Sequence, residues 1–353
     1  MRIQVNARNR AYQYEAQAGE KMLLAGLREG IDLPYECGTG TCGTCKAKLL
    51  EGKIEDAWPA APGRKYVKAD QGEFLLCQCV ASGDVTVEVS KFVYATDPGA
   101  CLAQAMSGSV AEVRLLTHDV AALDVTLDAP CDFDAGQFVA VAAPGVTGMR
   151  GYSMVNFARG TARLEFVIKK KPGGGFSEWL FNGAADGAET LKGARLALFG
   201  PLGKATFYPS LAKNILAIAG GSGIAGIMSI LSRACQERYF EQYEGHIFFG
   251  VRSMKDAFYL NQLSAFRKDF PNKLNITIAL SDAAVTASAA EQFPLLRFEQ
   301  GMVHEVAKRV MAGKYQNVRA YLAGPPPAVD ASIRVLLLEA KLTADNIRYD
   351  KFS

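Results

Sequence analysis

Four of the eight cysteines constrain this 353-residue chain more than any other feature: Cys37, Cys42, Cys45 and Cys77, spaced C-x4-C-x2-C with a distant fourth. Thiolates set so closely on one loop can wrap a small inorganic centre only if little side-chain bulk intervenes, and Gly38, Gly40 and Gly43 remove it. The spacing is that of the plant-type 2Fe–2S cluster, whose irons are held by thiolate throughout. Amides freed in such a loop can donate to the sulfurs and help to set the potential. A four-thiolate zinc site is the competing reading, but it asks for short C-x2-C spacing in both halves, and Cys77 has only Cys79 beside it. Structural disulfides find no support, since nothing marks the chain as secreted. Cys79, Cys101, Cys131 and Cys235 are scattered and read as buried apolar thiols. Cys79 stays open, because it stands two residues from a ligand.

At this length two or three domains are expected. The formal charge of +3 gives no electrostatic case for nucleic acid or a membrane surface. The start, MRIQVNARNR, has no apolar core and is no signal peptide, so the cytoplasm is the default expectation. Residues Asn214 to Leu231 carry no charge, yet Gly220, Gly221, Gly223 and Gly226 interrupt them. They read as a buried parallel strand, a glycine turn and a buried helix rather than a membrane span.

Three blocks follow one another. Residues 1–95 mix short strands (Ile3–Val5, Tyr12–Tyr14, Lys46–Leu50, Val85–Val89) with one helix over Lys21–Glu29 that Gly30 stops, an α+β pattern suited to a β-grasp fold. Residues 96–107 read as a linker. Residues 108–208 are strand-rich, with Val110–Leu115, Ala122–Leu127, Phe138–Ala142, Arg163–Ile168 and Arg195–Phe199 predicting an antiparallel β-barrel, and a helix from Phe176 through Leu180. Residues 209–353 alternate strands (Ile215–Ala219, His246–Val251, Asn275–Ala279, Ala320–Ala323) with helices (Ile224–Glu237, Leu260–Asp269, Ala328–Glu339). That is the pattern of an α/β doubly wound parallel sheet.

The second and third blocks carry nucleotide-binding signals. Arg150-Gly-Tyr152-Ser153 follows a strand and sets a cation, an aromatic and a hydroxyl within four residues. Pro172-Gly-Gly174-Gly175-Phe176-Ser177 leads into a helix whose free N–H groups suit a phosphate. Gly221-Ser222-Gly223-Ile224-Ala-Gly226, after Gly220, matches G-x-G-x-x-G between strand and helix. The acidic residue a Rossmann dehydrogenase carries at the end of the next strand is absent; Arg252 stands there. Ala323-Gly324-Pro325-Pro-Pro places a rigid turn at a strand's C-terminal end, where ligands of open α/β sheets sit.

Taken in order, these motifs resemble the ferredoxin–NADP reductase superfamily with a fused N-terminal plant-type ferredoxin, and more narrowly the reductase components of bacterial multicomponent aromatic oxygenases. The resemblance covers essentially the whole chain. It implies FAD in the barrel and a nicotinamide coenzyme in the C-terminal domain. Electrons would pass from NADH through FAD to the 2Fe–2S cluster, and from there to an oxygenase component or its Rieske or plant-type ferredoxin. By carry-over, Arg150 would bind an FAD phosphate, Tyr152 would pack on the isoalloxazine and Ser153 would approach N5. Ile168 and Lys169 would contact FAD through the backbone, Gly174 to Ser177 its pyrophosphate, and Phe352 would cover the other flavin face. Three positions depart from the pattern: Ala323 stands where the family usually has Cys, Gly226 replaces a frequent proline and Ala328 a frequent Met.

The cofactors carry this chemistry, so no acid–base triad is required and none of His118, His246 or His304 need be catalytic. His304 reads as a helix-start residue, capping or exposed. For the coenzyme, Ser281-Asp282 after the third strand of the last block favours NADH over NADPH, because a carboxylate repels a 2′-phosphate and suits a ribose diol. Arg252 points the other way. The rim of the Cys37–Cys45 loop is the expected docking face, with Glu36, Lys46 and Lys48 near it. A monomer is expected. Two alternatives stay open: a reductase serving deoxysugar biosynthesis, with the same electron path and another partner, and a stand-alone electron carrier or redox sensor.

Overall fold

The computed structural model describes residues 1–185 and 188–352. Alternating apolar residues make Arg2–Ala7 and Val85–Val89 strands with one inward face, carrying Ile3, Val5, Val85 and Val87. They run parallel, Ile3 opposite Val85, within a five-stranded sheet ordered Ala11–Glu15, Arg2–Ala7, Val85–Val89, Lys46–Glu51, Glu73–Leu75. The helix Met22–Arg28 lies in its grasp, with Met22 to Leu27 buried. Tyr14 donates its hydroxyl to the Met22 carbonyl at 2.8 Å, fixing the start of that helix to the sheet.

The second sheet has six antiparallel strands in the order Arg150–Ser153, Phe138–Ala142, Arg195–Leu202, Gln104–Leu115, Val120–Cys131, Thr161–Lys169. A bridge between Met154 and Phe166, and the Val155 N–H donating to the Glu165 carbonyl at 2.8 Å, bring its edges together, so the sheet curls into a barrel. One expectation is corrected here. The strand starts at Gln104, inside the stretch read as linker, because Gln104 to Ser107 pair with Gly200 to Ala197 at the barrel's surface. Gln104, Ala105 and Ser107 are exposed and only Met106 is half-buried, which left no apolar alternation to find.

The third sheet is all parallel, ordered Arg297–Gln300, Leu274–Leu280, Gly245–Val251, Asn214–Gly220, Val318–Gly324, Ile347–Lys351. Its central strands are near-continuous apolar runs because helices cover both faces. The strand order reverses between Asn214–Gly220 and Val318–Gly324, so a crevice opens at the C-terminal ends of those two strands. Arg297–Gln300 and Ile347–Lys351 were not anticipated; they are short, charged edge strands without a buried run. The helix placed at Ala328–Glu339 begins at Pro326 and ends at Arg334, continuing as a π-turn over Val335–Glu339. Prolines at its first turn sit where no N–H is needed. A further helix covers Val303–Val310, with His304 in its first turn. No helix among the described residues is long and apolar enough to cross a membrane, and Asn214–Leu231 is strand, turn and helix.

The barrel and the parallel sheet share one hydrophobic core. Polar contacts lock them further: Arg233 reaches Asp134 at 3.0 Å, Ser229 donates to the Asn156 carbonyl at 3.1 Å and Tyr259 to Glu165 at 2.7 Å. The N-terminal sheet docks on the other side of the barrel. There Tyr35 accepts the Gly203 N–H at 2.9 Å, Lys204 meets Asp32 at 2.7 Å, and Phe138, Phe199 and Leu202 join the N-terminal core.

Candidate functional site

The cysteine loop folds as its glycines predict. The sulfurs of Cys45 and Cys77 pair in the interior, and those of Cys37 and Cys42 form a second pair nearer the surface. Positive φ at Gly40 (88°) and Gly43 (77°) turns backbone amides inward. The Thr39 and Thr41 N–H groups each donate to the Cys37 sulfur at 3.4 Å, and that of Thr44 to Cys42 at 3.4 Å. The Gln78 amide donates to Cys77 at 3.3 Å. Four convergent sulfurs with N–H donors aimed at them fit a thiolate-bound cluster.

Cys79 takes no part in either pair. It lies in the strand Cys79–Ala81 opposite Asp56, with its sulfur 3.7 Å from the Arg64 guanidinium. Cys131 is buried as expected, but Cys101 and Cys235 are only half-buried. Cys101 sits 3.5 Å from Arg159, a polar neighbour that sequence spacing does not reveal.

One cavity of about 1720 Å³ lies where the three sheets meet. Cys37, Thr39 and Thr41 line one wall, Arg150 to Ser153 and Lys169 to Gly174 the floor, and Gly220 to Ser222, Gly324, Pro325 and Phe352 the far side. None of the three histidines lines it. His246 is buried against Glu244 at 3.2 Å, His118 is exposed, and His304 is partly buried.

Within the barrel, Tyr152 packs at a tilt on Phe176 and Phe166, ring centroids 5.1 and 6.4 Å away, and burial drives its pKa far up. Ser153 is buried and its Oγ has no hydrogen-bond partner, although it lines the cavity. A buried hydroxyl left unpaired costs about 1–3 kcal/mol, so its position fits a ligand that supplies the missing partner. Arg150 lies over the Trp58 ring at 4.8 Å and donates to the Met149 carbonyl at 2.9 Å. The Ser177 hydroxyl is used inside its own loop: it donates to the Lys171 or Gly174 carbonyl and accepts the Lys171 N–H at 3.1 Å. Gly175 and Phe176 begin the helix Gly175–Ala185, and Gly174 just before it accepts the Glu178 N–H at 2.8 Å. Ile168 is buried in the barrel core, while Lys169 lines the cavity and pairs with Asp119 at 3.3 Å.

In the parallel sheet, Gly220, Gly221 and Ser222 line the cavity, whereas Gly223 and Ile224 are buried beneath it. The Phe352 N–H donates to the Gly324 carbonyl at 3.0 Å, tying the C-terminal aromatic to the Ala323-Gly324-Pro325 turn; Ala323 itself is buried. Arg252 is already paired, with Asp256 at 2.8 Å and Asp119 at 3.7 Å. Asp282 is exposed beside it, its N–H donating to the Arg252 carbonyl at 2.9 Å.

Four cavity residues that shape the site were not singled out from the sequence. Trp58 and Tyr35 lie in featureless loops of the N-terminal block. Asp119 is a turn residue whose partners Lys169 and Arg252 are distant in the chain. Asp350 is the fourth; burial first, and then Glu36, push its carboxyl up to about 7. Its only signal was two residues' distance from Phe352.

Comparison with known proteins agrees with this geometry. Residues 5–82 match the 2Fe-2S iron-sulfur cluster binding domain, 107–207 the oxidoreductase FAD-binding domain and 217–333 the oxidoreductase NAD-binding domain. The chain is 34% identical to ferredoxin–NAD(P)+ reductase CarAd of Metapseudomonas resinovorans, covering 95% of both chains. It is 30% identical to the xylene/toluene monooxygenase electron transfer component XylA of Pseudomonas putida, over 93% of this chain and 87% of that one. The solved ferredoxin reductase of carbazole 1,9a-dioxygenase superposes with a TM-score of 0.78 at 32% identity, covering 100% of this chain and 99% of that one. The chain belongs to the ferredoxin–NAD(P)+ reductase family whose members serve as reductase components of oxygenase systems.

Proposed function

We propose that this oxidoreductase carries electrons from NADH through FAD and its 2Fe–2S cluster to an oxygenase acting on aromatic compounds, or to that oxygenase's ferredoxin. The observation that carries the reading is the single cavity bounded at once by Cys37 of the cluster loop, Ser153 of the barrel and the Gly220–Ser222 turn. A Cβ added to Gly151 would lie 3.7 Å from the Cys37 carbonyl, so the cluster loop abuts the strand that carries Tyr152 and Ser153. FAD bound there supplies the exchange between a hydride pair and single electrons that a one-electron cluster needs.

The chain's own residues bind and orient. Arg150 meets an FAD phosphate, and Trp58 keeps its guanidinium in place. Tyr152 presents its ring to the isoalloxazine, and the unpaired Ser153 hydroxyl hydrogen-bonds at N5. Gly174 to Ser177 offer the pyrophosphate backbone N–H groups, with the Ser177 side chain shaping the loop rather than reaching the ligand. Gly220 to Ser222 and Gly324–Pro325 hold the nicotinamide coenzyme, and Phe352 covers the flavin face between turns. The division is residues 1–95 for the cluster, 108–208 for FAD and 209–353 for the coenzyme. The protein acts as a cytoplasmic monomer.

NADH is the preferred coenzyme. Arg252, the cation that argued for NADPH, is neutralised by Asp256 and Asp119, and Asp282 adds a further carboxylate nearby. Anaerobic purification with iron, sulfide and FAD analysis tests the cofactors, and stopped flow with NADH tests the order. Flavin bleaching should precede the change in cluster bands. Cluster reduction in protein stripped of FAD would overturn that order, and a higher kcat/KM with NADPH would overturn the coenzyme assignment. Phe352→Ala should change flavin absorbance or coenzyme preference; no change in either retires its role.

A further inference from the structure

We propose that Lys21 and Gln78 form a polar relay behind the cluster that raises its reduction potential through Cys77. The proposal rests on Cys37, Cys42, Cys45 and Cys77 holding the cluster. The backbone fixes the relay first. Lys21 bridges to Val80, and the Leu23 N–H donates to the Leu76 carbonyl at 3.0 Å, so the start of the first helix is pinned along the Leu76–Val80 segment. From there the Lys21 ammonium donates to Gln78 Oε1 at 3.3 Å, and Gln78 Nε2 donates to the Cys77 sulfur at 3.3 Å. An ammonium can only donate, so the amide must turn its oxygen to Lys21 and its N–H to the sulfur. Gln78 is fully buried, and the cluster loop makes room for it: a Cβ on Gly40 would lie 2.8 Å from Gln78 Nε2.

Reduction adds one electron, and no proton, to a centre already made anionic by four thiolates. A cation held through an oriented amide stabilises that added charge, and does so more strongly away from bulk water. Among the described residues no backbone N–H serves Cys77 as those of Thr39 and Thr44 serve Cys37 and Cys42, and the Gln78 side-chain amide is its donor.

The test is an anaerobic redox titration of full-length holoprotein, following the cluster by EPR and visible absorption. At the wild-type midpoint, Lys21→Met should lower the ratio of reduced to oxidised cluster about tenfold, a midpoint about 59 mV more negative for one electron. Lys21→Arg should restore the wild-type ratio. Gln78→Met should shift the midpoint in the same direction, and the double variant should fall short of the sum, because Lys21 acts through the amide. The FAD content and flavin midpoint should not move. A Lys21→Met ratio within twofold of wild type overturns the proposal, as does full additivity in the double variant. If Gln78→Met fails to assemble a cluster, the Lys21→Met and Lys21→Arg pair decides alone. A wild-type protein without iron would instead remove the cluster assignment itself.

Discussion

Replacing Gly223 with alanine tests whether the two nucleotide-binding turns of the parallel sheet are set by direct backbone contact. Gly223 has ordinary helical dihedrals (φ −61°), so an alanine there carries no left-handed strain. Space is what is missing. Its Cβ would stand 2.5 Å from the Ala323 carbonyl carbon and 2.7 Å from the Gly324 nitrogen, nearer still to the Ala323 oxygen. Neither side can yield cheaply: Ala323 is in register with Ala219, and Gly223 opens the buried helix Ile224–Gln236. Overpacking of this kind costs about 1–3 kcal/mol, which lowers the melting temperature of a domain of this size by about 2–12 °C. It also drives Gly221–Ser222 away from Gly324–Pro325, so KM for NADH should rise several-fold while FAD absorbance is retained. Gly221→Ala is the stability comparison, with φ 53° and nothing within 4 Å of its Cβ; it should cost only the left-handed penalty, about 1–2 kcal/mol. Calorimetry and NADH kinetics on both variants decide. If Gly223→Ala leaves both the melting temperature and KM for NADH at their wild-type values, contact between the turns is not what holds them.

Three further outcomes are expected. Cys79→Ala should retain full iron content whereas Cys77→Ser should lose it; iron loss from Cys79→Ala would show the ligand set to be misassigned. Arg150→Ala should weaken FAD binding at least tenfold by fluorescence titration, and Trp58→Ala by about 2–30-fold, the worth of one cation–π contact; a Trp58→Ala affinity equal to wild type would mean the ring does not position Arg150. For Asp350, the folded pKa of about 7 lies above its unfolded value. Its contribution to stability is therefore fully present below about pH 4, and is lost as pH rises through 7, by at most about 4 kcal/mol before cavity water screens it. Asp350→Asn should then raise the melting temperature of FAD-free protein at pH 8 more than at pH 5, and an offset that does not vary with pH would contradict the burial argument.

Local chemistry in the chain itself pointed to the four proposed cluster ligands, since C-x4-C-x2-C with interleaved glycines admits few other uses. It also determined the three-block architecture, because buried parallel strands are apolar runs and the barrel strands are apolar segments separated by turn residues. Edge strands such as Arg297–Gln300 and Ile347–Lys351 escaped, being charged and held by neighbours rather than by their own pattern. Tertiary structure alone decided that Cys37, Ser153 and Gly221 share a cavity, that Trp58 caps Arg150, and that Asp119 neutralises Arg252. Those contacts join residues tens to hundreds of positions apart, and each residue taken singly is an ordinary loop or surface side chain. Spacing along a chain encodes what one segment can grip; which segments meet depends on how the three sheets pack.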